Sequence, residues 1–286
     1  MSSPVSGLRA ALACAAALLL AGTLSGCSNG SSHPSRPETS APESSAPPAP
    51  RPDAAAYRRW GLDGPLAPPP VPPSTRLTAT VKPGEAPQIV RRVRTADKIV
   101  FLTFDDGAEK DPEFVKMAED LKLPFTMFLT DSIARSGSGY GYFDRLRAAG
   151  PAPGNAVQNH TLTHPNLRTL SAEAQRKEIC GQQDILEKRF GSRPVLFRPP
   201  YGNYNDQTLA AAGGCGVRAV VLWEATMQIN DMRYAEGGGL RPGDIVLAHF
   251  RGPSELKGTT MTQMVTNMLR SIQKQGYTVA RLEDYV

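Results

Sequence analysis

The chain has 286 residues with a formal net charge of +5, and fifteen of its 26 prolines precede Gly84. So small an excess of positive charge, with no block of Lys and Arg, excludes a nucleic-acid-binding surface as the main function, and we expect no nucleic-acid partner. The crowding of prolines in the first third predicts that the folded part is shorter than the chain.

The first 26 residues have the pattern of an export signal. Arg9 is followed by an apolar run from Ala10 to Leu20, which is too short to cross a membrane, and then by small residues. The Leu-Ser-Gly-Cys sequence that ends at Cys27 resembles the lipobox of bacterial lipoproteins. This resemblance implies a lipid on Cys27 and a location on the outer face of the cell membrane. An ordinary cleavage site beside a chance cysteine is the alternative, and both interpretations predict export.

Residues 27–95 are rich in Ser, Pro and Ala and contain few large apolar side chains. Such a composition does not bury enough surface to offset the entropy of ordering, which predicts a largely disordered tether. The aromatic and basic stretch Tyr57–Trp60 interrupts it and could dock on a domain. The folded domain is then predicted to cover residues 96–286, enough for one buried core, and we expect a monomer.

Seven apolar runs within this domain have the length and composition of buried strands. They are Ile99–Phe104, Phe125–Leu129, Ala156–Gln158, Val195–Phe197, Val217–Trp223, Ile245–Ala248 and Thr278–Ala280. Helical patterns lie between them: one begins at Asp111-Pro112, one runs from Ser171 to Phe190, and the last ends at Gly276. Repeated strand–helix units predict an α/β fold whose parallel sheet of about seven strands could close into a barrel.

The first predicted strand ends in two adjacent acids. Asp105 and Asp106 follow a buried apolar run and precede Gly107, which permits a sharp turn. Two neighbouring carboxylates repel each other and raise each other's pKa unless a cation is supplied, so this pair predicts a bound metal ion or an arginine partner.

Other polar groups also follow predicted strands. His160 and His164 come after the third strand, Arg198 after the fourth and His249 after the sixth, so that three of the four histidines lie at strand ends. Catalytic groups of barrel enzymes lie at this edge of the sheet. A spacing of four could bring the two imidazoles together, although Pro165 disfavours regular helix at His164.

These strand ends carry four recognisable motifs. Thr103–Gly107 reads Thr-Phe-Asp-Asp-Gly, His160–His164 contains His-x-x-x-His, Arg198–Gly202 reads Arg-Pro-Pro-Tyr-Gly, and Leu247–His249 reads Leu-Ala-His. In this order they resemble the first, second, third and fifth motifs of the polysaccharide deacetylase family, the NodB homology domain of carbohydrate esterase family 4. The resemblance covers the whole predicted domain. It implies a distorted, incomplete (β/α) barrel, which agrees with the strand count.

The resemblance also implies a reaction. Asp106, His160 and His164 correspond to the ligands of one divalent metal ion, expected to be zinc with cobalt as the alternative. Asp105 corresponds to the general base that takes a proton from the attacking water, and His249 to the acid that protonates the leaving amine. The implied enzyme is a metal-dependent hydrolase that removes acetyl groups from N-acetylated amino sugars of an extracellular polysaccharide, such as peptidoglycan or chitin-like oligomers.

Supporting roles follow from the same likeness. Arg198 is expected to keep Asp105 ionised and oriented, and the backbone N–H of Tyr201 is expected to hold the oxyanion. Leu247 is expected to line the pocket for the acetyl methyl group. Pro199 belongs to the rigid loop that carries Tyr201.

The fourth motif departs from the family pattern. The family has an Asp-Trp pair there whose carboxylate orients the acid histidine, whereas this chain has Trp223 and, further on than expected, Asp231 followed by Met232. The partner of His249 is therefore left open between Asp231, Glu224 and none. The same loop is expected to shape the substrate groove.

Three other functions are compatible with parts of the pattern. Two histidines and one carboxylate also bind Fe(II) in oxygenases, but there the usual pattern is a close His-x-Asp on an all-β frame. A non-catalytic, cell-wall-binding relative is expected to have lost one of the motif residues, and none is lost. An esterase that removes O-acetyl groups from xylan would use the same residues.

Two cysteines lie inside the predicted domain. Cys180 falls on the Ser171–Phe190 helix and Cys215 precedes the Val217 strand. Because export permits oxidation, we predict a disulfide between them, with two buried thiols as the alternative.

Overall fold

A computed structural model of the chain describes residues 53–82 and 84–286. The predicted export signal, the lipobox with Cys27 and the first part of the predicted tether lie outside these residues. Within the described part, no helix is long and apolar enough to cross a membrane.

Ten strands form one sheet. They are β1 (Gln88–Val90), β2 (Ile99–Asp106), β3 (Thr126–Leu129), β4 (Ala156–Asn159), β5 (Leu196–Phe197), β6 (Ala219–Val221), β7 (Ala225–Met227), β8 (Met232–Tyr234), β9 (Ile245–His249) and β10 (Thr278–Val279). All seven predicted strands are present, and β1, β7 and β8 are additional. These three are three residues long each, too short to show a periodic pattern in the sequence.

The strand order is β1-β6-β5-β4-β3-β2-β9-β7-β8, with β10 paired to the start of β2. All pairings are parallel except the β7–β8 hairpin. The end strands β1 and β8 do not pair with each other within the described residues, so the sheet curls into a barrel without closing. The prediction of a distorted, incomplete (β/α) barrel is confirmed.

Strand β2 shows how the sheet separates two layers. Its alternate residues Phe101, Thr103 and Asp105 face the inside of the curl, and Phe101 packs there against the C-terminal Tyr285 with the ring centroids 5.1 Å apart. Leu102 and Phe104 face outwards into the larger core beneath the helices. The alternation places Asp105 inside the barrel, on the same face as Thr103.

Among the residues that the structure describes, seven α-helices surround the sheet. They are α1 (Ala54–Arg59), α2 (Pro112–Leu121), α3 (Asp131–Ala134), α4 (Gly141–Ala149), α5 (Ala172–Phe190), α6 (Asp206–Gly214) and α7 (Met261–Lys274). The predicted ends of α2 and α5 are confirmed. Asp111 and Ser171 accept hydrogen bonds as N-caps, and Gly191 ends α5 in the left-handed conformation. Helices α1, α3, α4 and α6 were not predicted.

The predicted start of the domain at residue 96 is too late. Helix α1 packs on the domain through Tyr57, which is 3% exposed, and the Trp60 indole donates a hydrogen bond to Asp120 at 2.8 Å. Strand β1 pairs with β6. The suggestion that Tyr57–Trp60 docks is therefore right, and the second half of the predicted tether is part of the fold. Composition misled here because a few large side chains, buried deeply, are enough to order a Pro-rich stretch.

The opposite end of the barrel from Asp105 is closed by the last residues of the chain. A short 3-10 helix, Leu282–Asp284, places Glu283 at the starts of the strands, where Thr126 donates a hydrogen bond to its carboxylate at 2.8 Å. Leu282 and Tyr285 pack into the inner core. We call this end the barrel floor.

Candidate active site

The site begins where β2 ends. Asp106 has a φ of 72° and Gly107 a φ of 90°, so the chain turns sharply at the second acid rather than after it. This turn brings both carboxylates to one imidazole: His160 Nε2 lies 3.7 Å from Asp105 Oδ2 and 3.5 Å from Asp106 Oδ1. A Cβ on Gly107 would lie 2.9 Å from the Phe143 ring, so the turn also requires the absence of a side chain.

Asp105 is fixed by a buried arginine. Arg198 Nη1 donates to Asp105 Oδ1 at 2.6 Å and to Thr103 Oγ1 at 2.8 Å, and the guanidinium lies 4.3 Å above the Phe128 ring. Nε of Arg198 donates to the carbonyl oxygen of Val221, and Nη2 donates to that of Leu222 at 3.3 Å. Arg198 is fully buried, so the ion pair is strong and its geometry is set by the whole barrel interior. One oxygen of Asp105 is left facing the site.

Asp106, His160 and His164 form a compact donor set. One oxygen or nitrogen from each lies within 4.8 Å of those of the other two, and His164 Nε2 is 3.3 Å from Asp106 Oδ1. Asp106 Oδ1 is buried and has no hydrogen-bond partner among the described residues. The Nδ1 of His160 lies 2.6 Å from the carbonyl oxygen of Arg198, which fixes this nitrogen as the donor and leaves Nε2 facing Asp106.

The charges of these groups are strongly coupled. Burial alone would raise the pKa of Asp106, but the nearby imidazole of His160, helped by the charges of His249 and His164, lowers it to about 2. Burial lowers the pKa of His160, and the charges of Asp105 and Asp106 outweigh this effect and raise it. For His164, burial and the neighbouring His160 lower the pKa. The site therefore keeps Asp106 ionised over the whole physiological pH range.

The segment that carries the two histidines is not helical. Thr161 has a φ of 73° and His164 a φ of 61°, both in the left-handed region that side chains rarely adopt. Residue His164 precedes Pro165, and helix is absent there, as the sequence predicted. The imidazoles meet through this irregular loop, with ring centroids 4.9 Å apart.

His249 and Leu247 reach the site from β9. Asp105 is in register with His249, and Thr103 with Leu247, so all four side chains belong to the inner face. Burial lowers the pKa of His249, Asp105 and Asp106 raise it, and Arg251 and His160 lower it further, with a net decrease. Leu247 is 5% exposed and lies two residues before His249 on the same strand, and its role in a pocket for the acetyl methyl group stays a prediction.

The loop after β5 forms another wall. Pro199 is buried, and Tyr201 has a φ of 60° with its side chain 63% exposed. The Tyr201 ring lies 4.7 Å from that of His164, centroid to centroid. Trp223 stands behind this loop, 5.6 Å from the guanidinium of Arg198 and close to Gly202.

The two candidates for the orienting partner of His249 make other contacts. Asp231 lies in the β7–β8 turn with its side chain 65% exposed, 3.5 Å from Arg233. Glu224 lies 3.7 Å from Arg92. Neither forms a hydrogen bond to His249 within the described part of the chain, and the assignment of a partner stays a prediction.

Cys180 and Cys215 form a disulfide that joins α5 to the end of α6, with the Cα atoms 5.1 Å apart. Cys215 is 3% exposed, whereas Cys180 is half-buried. Glu178, two residues before Cys180 on the same helix, contacts the loop that carries His164.

Several contributing residues escaped the sequence analysis. Thr103 accepts a hydrogen bond from Arg198, and the Phe128 ring stacks on the guanidinium of Arg198. The signal for Thr103 was present: a polar residue two positions before Asp105 in a strand shares its face. No local signal identified Glu178, which lies 14 residues beyond His164 in the sequence.

Comparison with known proteins gives the family. A sequence model described as polysaccharide deacetylase matches residues 92–220, which include both acids of β2, both histidines of the loop and Arg198, but end before His249. An uncharacterised protein of Streptomyces coelicolor is 46% identical over 202 residues, covering 70% of this chain and 78% of that protein. The chain belongs to the polysaccharide deacetylase family.

Two further members show how far the likeness extends. The peptidoglycan-N-acetylmuramic acid deacetylase PdaC of Bacillus subtilis is 37% identical over 110 residues, which are 38% of this chain and 23% of that protein. The crystal structure of a CE4 family pseudoenzyme from Bacillus anthracis has a TM-score of 0.55 at 21% identity, covering 69% of this chain and 68% of that one. At such identity the second comparison shows the fold alone.

Proposed function

We propose that this polysaccharide deacetylase family member is an active, metal-dependent hydrolase that removes acetyl groups from N-acetylated amino sugars. The observation that carries the proposal is the cluster of Asp106, His160 and His164 beside an Asp105 that is held by Arg198. A fold of this kind also occurs in a pseudoenzyme, so the fold does not decide the activity. The side chains support activity, because every residue of the first, second, third and fifth family motifs is present.

The donor set fits a divalent cation. The buried Oδ1 of Asp106 is an anionic oxygen without a hydrogen-bond partner among the described residues, and the two Nε2 atoms beside it are of the type that zinc prefers. The Nδ1 contact of His160 with a backbone carbonyl is the usual outer support of a metal-bound histidine. When bound, such an ion supplies Lewis-acid chemistry by polarising the acetyl carbonyl.

The protein groups divide the proton transfers. Asp105 keeps Oδ2 available while Arg198 holds Oδ1, so it is suited to take a proton from the attacking water. His249, in register with Asp105 across β2 and β9, is suited to give a proton to the departing amine. The backbone N–H of Tyr201 is the proposed donor to the oxyanion. The products are acetate and a free amino sugar.

For the substrate we propose an extracellular glycan, peptidoglycan or a chitin-like oligomer. The support is the partial likeness to PdaC, a peptidoglycan-N-acetylmuramic acid deacetylase, together with the open position of Tyr201 at the edge of the site. An exposed aromatic ring beside the reacting groups suits the stacking of a sugar ring.

An assay of acetate release tests both activity and substrate. The purified protein, stripped of metal and supplied with zinc or cobalt, is incubated with N-acetylated peptidoglycan, chitin oligomers and acetylxylan. We expect release from an N-acetylated glycan and none from the Asp106→Asn control. Release from acetylxylan alone would identify an O-acetyl esterase, and binding of glycans without release would identify a non-catalytic protein.

We also propose that the protein is exported and carries a lipid on Cys27, which holds it on the outer face of the membrane. The support is the sequence before Cys27, which lies outside the described residues. In cell fractionation, the parent chain should sediment with membranes and the Cys27→Ala chain should be released. A variant that sediments like the parent would contradict lipid attachment at this residue.

A further inference from the structure

The loop that carries His164 is strained and needs support from outside. Thr161 and His164 both have positive φ, a conformation that is unfavourable for residues with a side chain. Such conformations persist only where the surroundings fix them. The contacts of this loop therefore show what holds the second imidazole in place.

The first half of the loop is held from the sheet and from α3. The N–H of His160 bonds to the Leu129 carbonyl at 3.1 Å, and Thr130 Oγ1 donates to the carbonyl of His160 at 2.8 Å. The N–H of Ser132 bonds to the carbonyl of Leu162 at 2.9 Å. These contacts end one residue before Thr163.

The second half of the loop is held by Glu178 of α5 and by one bond within the loop, in which the His164 N–H donates to Thr161 Oγ1 at 3.1 Å. Glu178 Oε2 accepts a hydrogen bond from the Thr163 N–H at 2.9 Å, and Glu178 Oε1 accepts one from Thr163 Oγ1 at 2.8 Å. The carbonyl of Glu178 also accepts from the N–H of Leu162 at 3.2 Å. Within the described residues, both hydrogen-bond donors of Thr163 thus go to a single carboxylate.

The position of Glu178 is itself fixed. The carbonyl oxygen of the next residue, Ile179, accepts a hydrogen bond from Asn159 Nδ2 at 2.9 Å, and the disulfide joins Cys180 to α6. Gly181 is in contact with the Leu162 side chain, since a Cβ there would lie 2.7 Å from Leu162 Cδ1. One turn of α5 therefore forms a firm seat for the loop.

We infer that Glu178 is a positioning residue for the metal centre, which sets metal affinity by holding Thr163 and, through it, the strained backbone of His164. This inference rests on the proposed metal-dependent function. A carboxylate that accepts from a backbone N–H and a hydroxyl together makes two charge-assisted bonds, which outweigh the neutral contacts elsewhere in the loop. Loss of both leaves His164 free to relax away from Asp106.

Metal affinity of the full chain measures this effect without reference to activity. Metal-free protein is titrated with Co²⁺, and the dissociation constant is read from the visible absorption of bound cobalt in the presence of a competing chelator. We expect Glu178→Ala to weaken binding about tenfold, the lower end of the range for groups that support metal ligands. The shape of the cobalt spectrum should change as well, because His164 would sit differently.

Two further variants separate positioning from simple charge. Thr163→Val removes the hydroxyl donor but keeps the charge of Glu178, and Glu178→Gln removes the charge but keeps one acceptor. A positioning role predicts that both weaken cobalt binding and that their effects are not additive, because they act on the same contact. Glu187→Gln is the matched control, since it removes a charge from the same helix at a side chain that pairs with Arg193 at 2.6 Å. Its affinity should equal that of the parent chain.

The outcomes are distinct. Unchanged affinity in folded Glu178→Ala and Thr163→Val chains would overturn the inference, as would an equal loss in Glu187→Gln. If Glu178→Ala does not fold, the Thr163→Val result decides, because that side chain is exposed. A parent chain that binds no cobalt at all would instead refute the proposed metal-dependent function.

Discussion

The barrel buries acidic side chains at both of its ends, and the two ends surround them differently. At the catalytic end, Asp105 is 2% exposed and pairs with the guanidinium of Arg198, while Asp106 faces two imidazoles. The pKa of Asp106 falls to about 2, although burial acts to raise it. Cationic partners are what keep charge in this part of the molecule.

At the barrel floor, Glu283 is 7% exposed, and its hydrogen-bond donors are the neutral Thr126 and Gln158. The guanidinium of Arg281 comes no closer than 3.9 Å, and Oε2 has no hydrogen-bond partner among the described residues. Burial raises the pKa of Glu283, and the effects of Arg281, Thr126 and Gln158 are too small to reverse it.

The difference shows that burial alone does not make a functional carboxylate. Desolvation acts in the same direction at both ends, so the sign of the net pKa shift is decided by the neighbours. The catalytic end keeps Asp106 ionised, which suits the proposed binding of a cation. The floor holds an acid whose neutral form fits its surroundings, which suits a structural contact at the start of the strands.

The largest expected effects come from exchanging the two catalytic acids. Asp106→Asn replaces the unpartnered anionic oxygen by a weak neutral ligand, so both metal content and activity should fall steeply. Asp105→Asn should keep metal near one equivalent, because Asp106, His160 and His164 are unchanged, and should still lose activity by at least about 10²-fold through the missing base. Metal analysis and initial rates on the two variants, side by side, measure both effects.

A matched control at the other end is Glu283→Gln, which removes a buried carboxylate without touching the site and should leave metal content unchanged. Equal loss of metal in Asp105→Asn and Asp106→Asn would contradict the division of roles. It would mean that both carboxylates bind the ion, and that the proton acceptor is another group.

Much of this catalytic end could be predicted from the sequence because its features are local. The apolar run before Asp105 and the glycine after Asp106 lie within a few residues of each other, and each histidine lies at or within a few residues of the end of its own strand. The same holds for the N-cap at Asp111 and the C-cap at Gly191. Periodicity over a strand or a helix is enough to place such elements.

The floor and the supports of the site could not be predicted, because they depend on distant pairs. Thr126 and Glu283, which form a hydrogen bond, are 157 residues apart. The hydroxyl of Tyr57 lies 3.5 Å from the carbonyl oxygen of Leu121, 64 residues further along the chain. No window of sequence contains both partners of such a contact. For the same reason, the sequence did not indicate that part of the predicted tether packs on the domain, or that Glu178 contacts the loop that carries His164.

Removal of the buried guanidinium of Arg198 should destabilise the fold. Arg198→Met preserves much of the side-chain volume against Phe128 but leaves Asp105 buried without its partner. Breaking a buried pair in this way costs about 3–5 kcal/mol, which we expect to find in urea unfolding at neutral pH. The double variant Arg198→Met with Asp105→Asn should regain part of this loss. An unchanged free energy of unfolding in Arg198→Met would mean that the ion pair contributes no net stability.

His249 is expected to affect the reaction without affecting the metal. It lies in register with Asp105 and outside the compact donor set, so His249→Ala should lower kcat by about 10²–10⁴-fold while metal content stays near one equivalent. The same assay on Asp231→Asn and Glu224→Gln identifies an orienting partner, if one of them reproduces part of the loss. Release of metal from His249→Ala would instead place this histidine among the ligands.

The smallest expected effect is at the barrel floor, where a substitution should raise the free energy of unfolding rather than lower it. Because the pKa of Glu283 is raised in the folded chain above the ordinary value of about 4.3, the folded state binds more protons than the unfolded state between these two pH values. The stabilising contribution of the neutral acid is complete below the ordinary pKa and is lost as the pH rises through the folded pKa.

Glu283→Gln mimics the neutral form at every pH, so it should gain about 1 kcal/mol over the parent chain at pH 7 and nothing at pH 4. Urea unfolding of the metal-free proteins at both pH values measures this difference, with the exposed Glu255→Gln as the control that should change neither. An advantage of equal size at pH 4 and pH 7 would show that shape rather than charge distinguishes the two side chains, and a less stable variant at pH 7 would show that Glu283 is ionised and paired like the acids at the catalytic end.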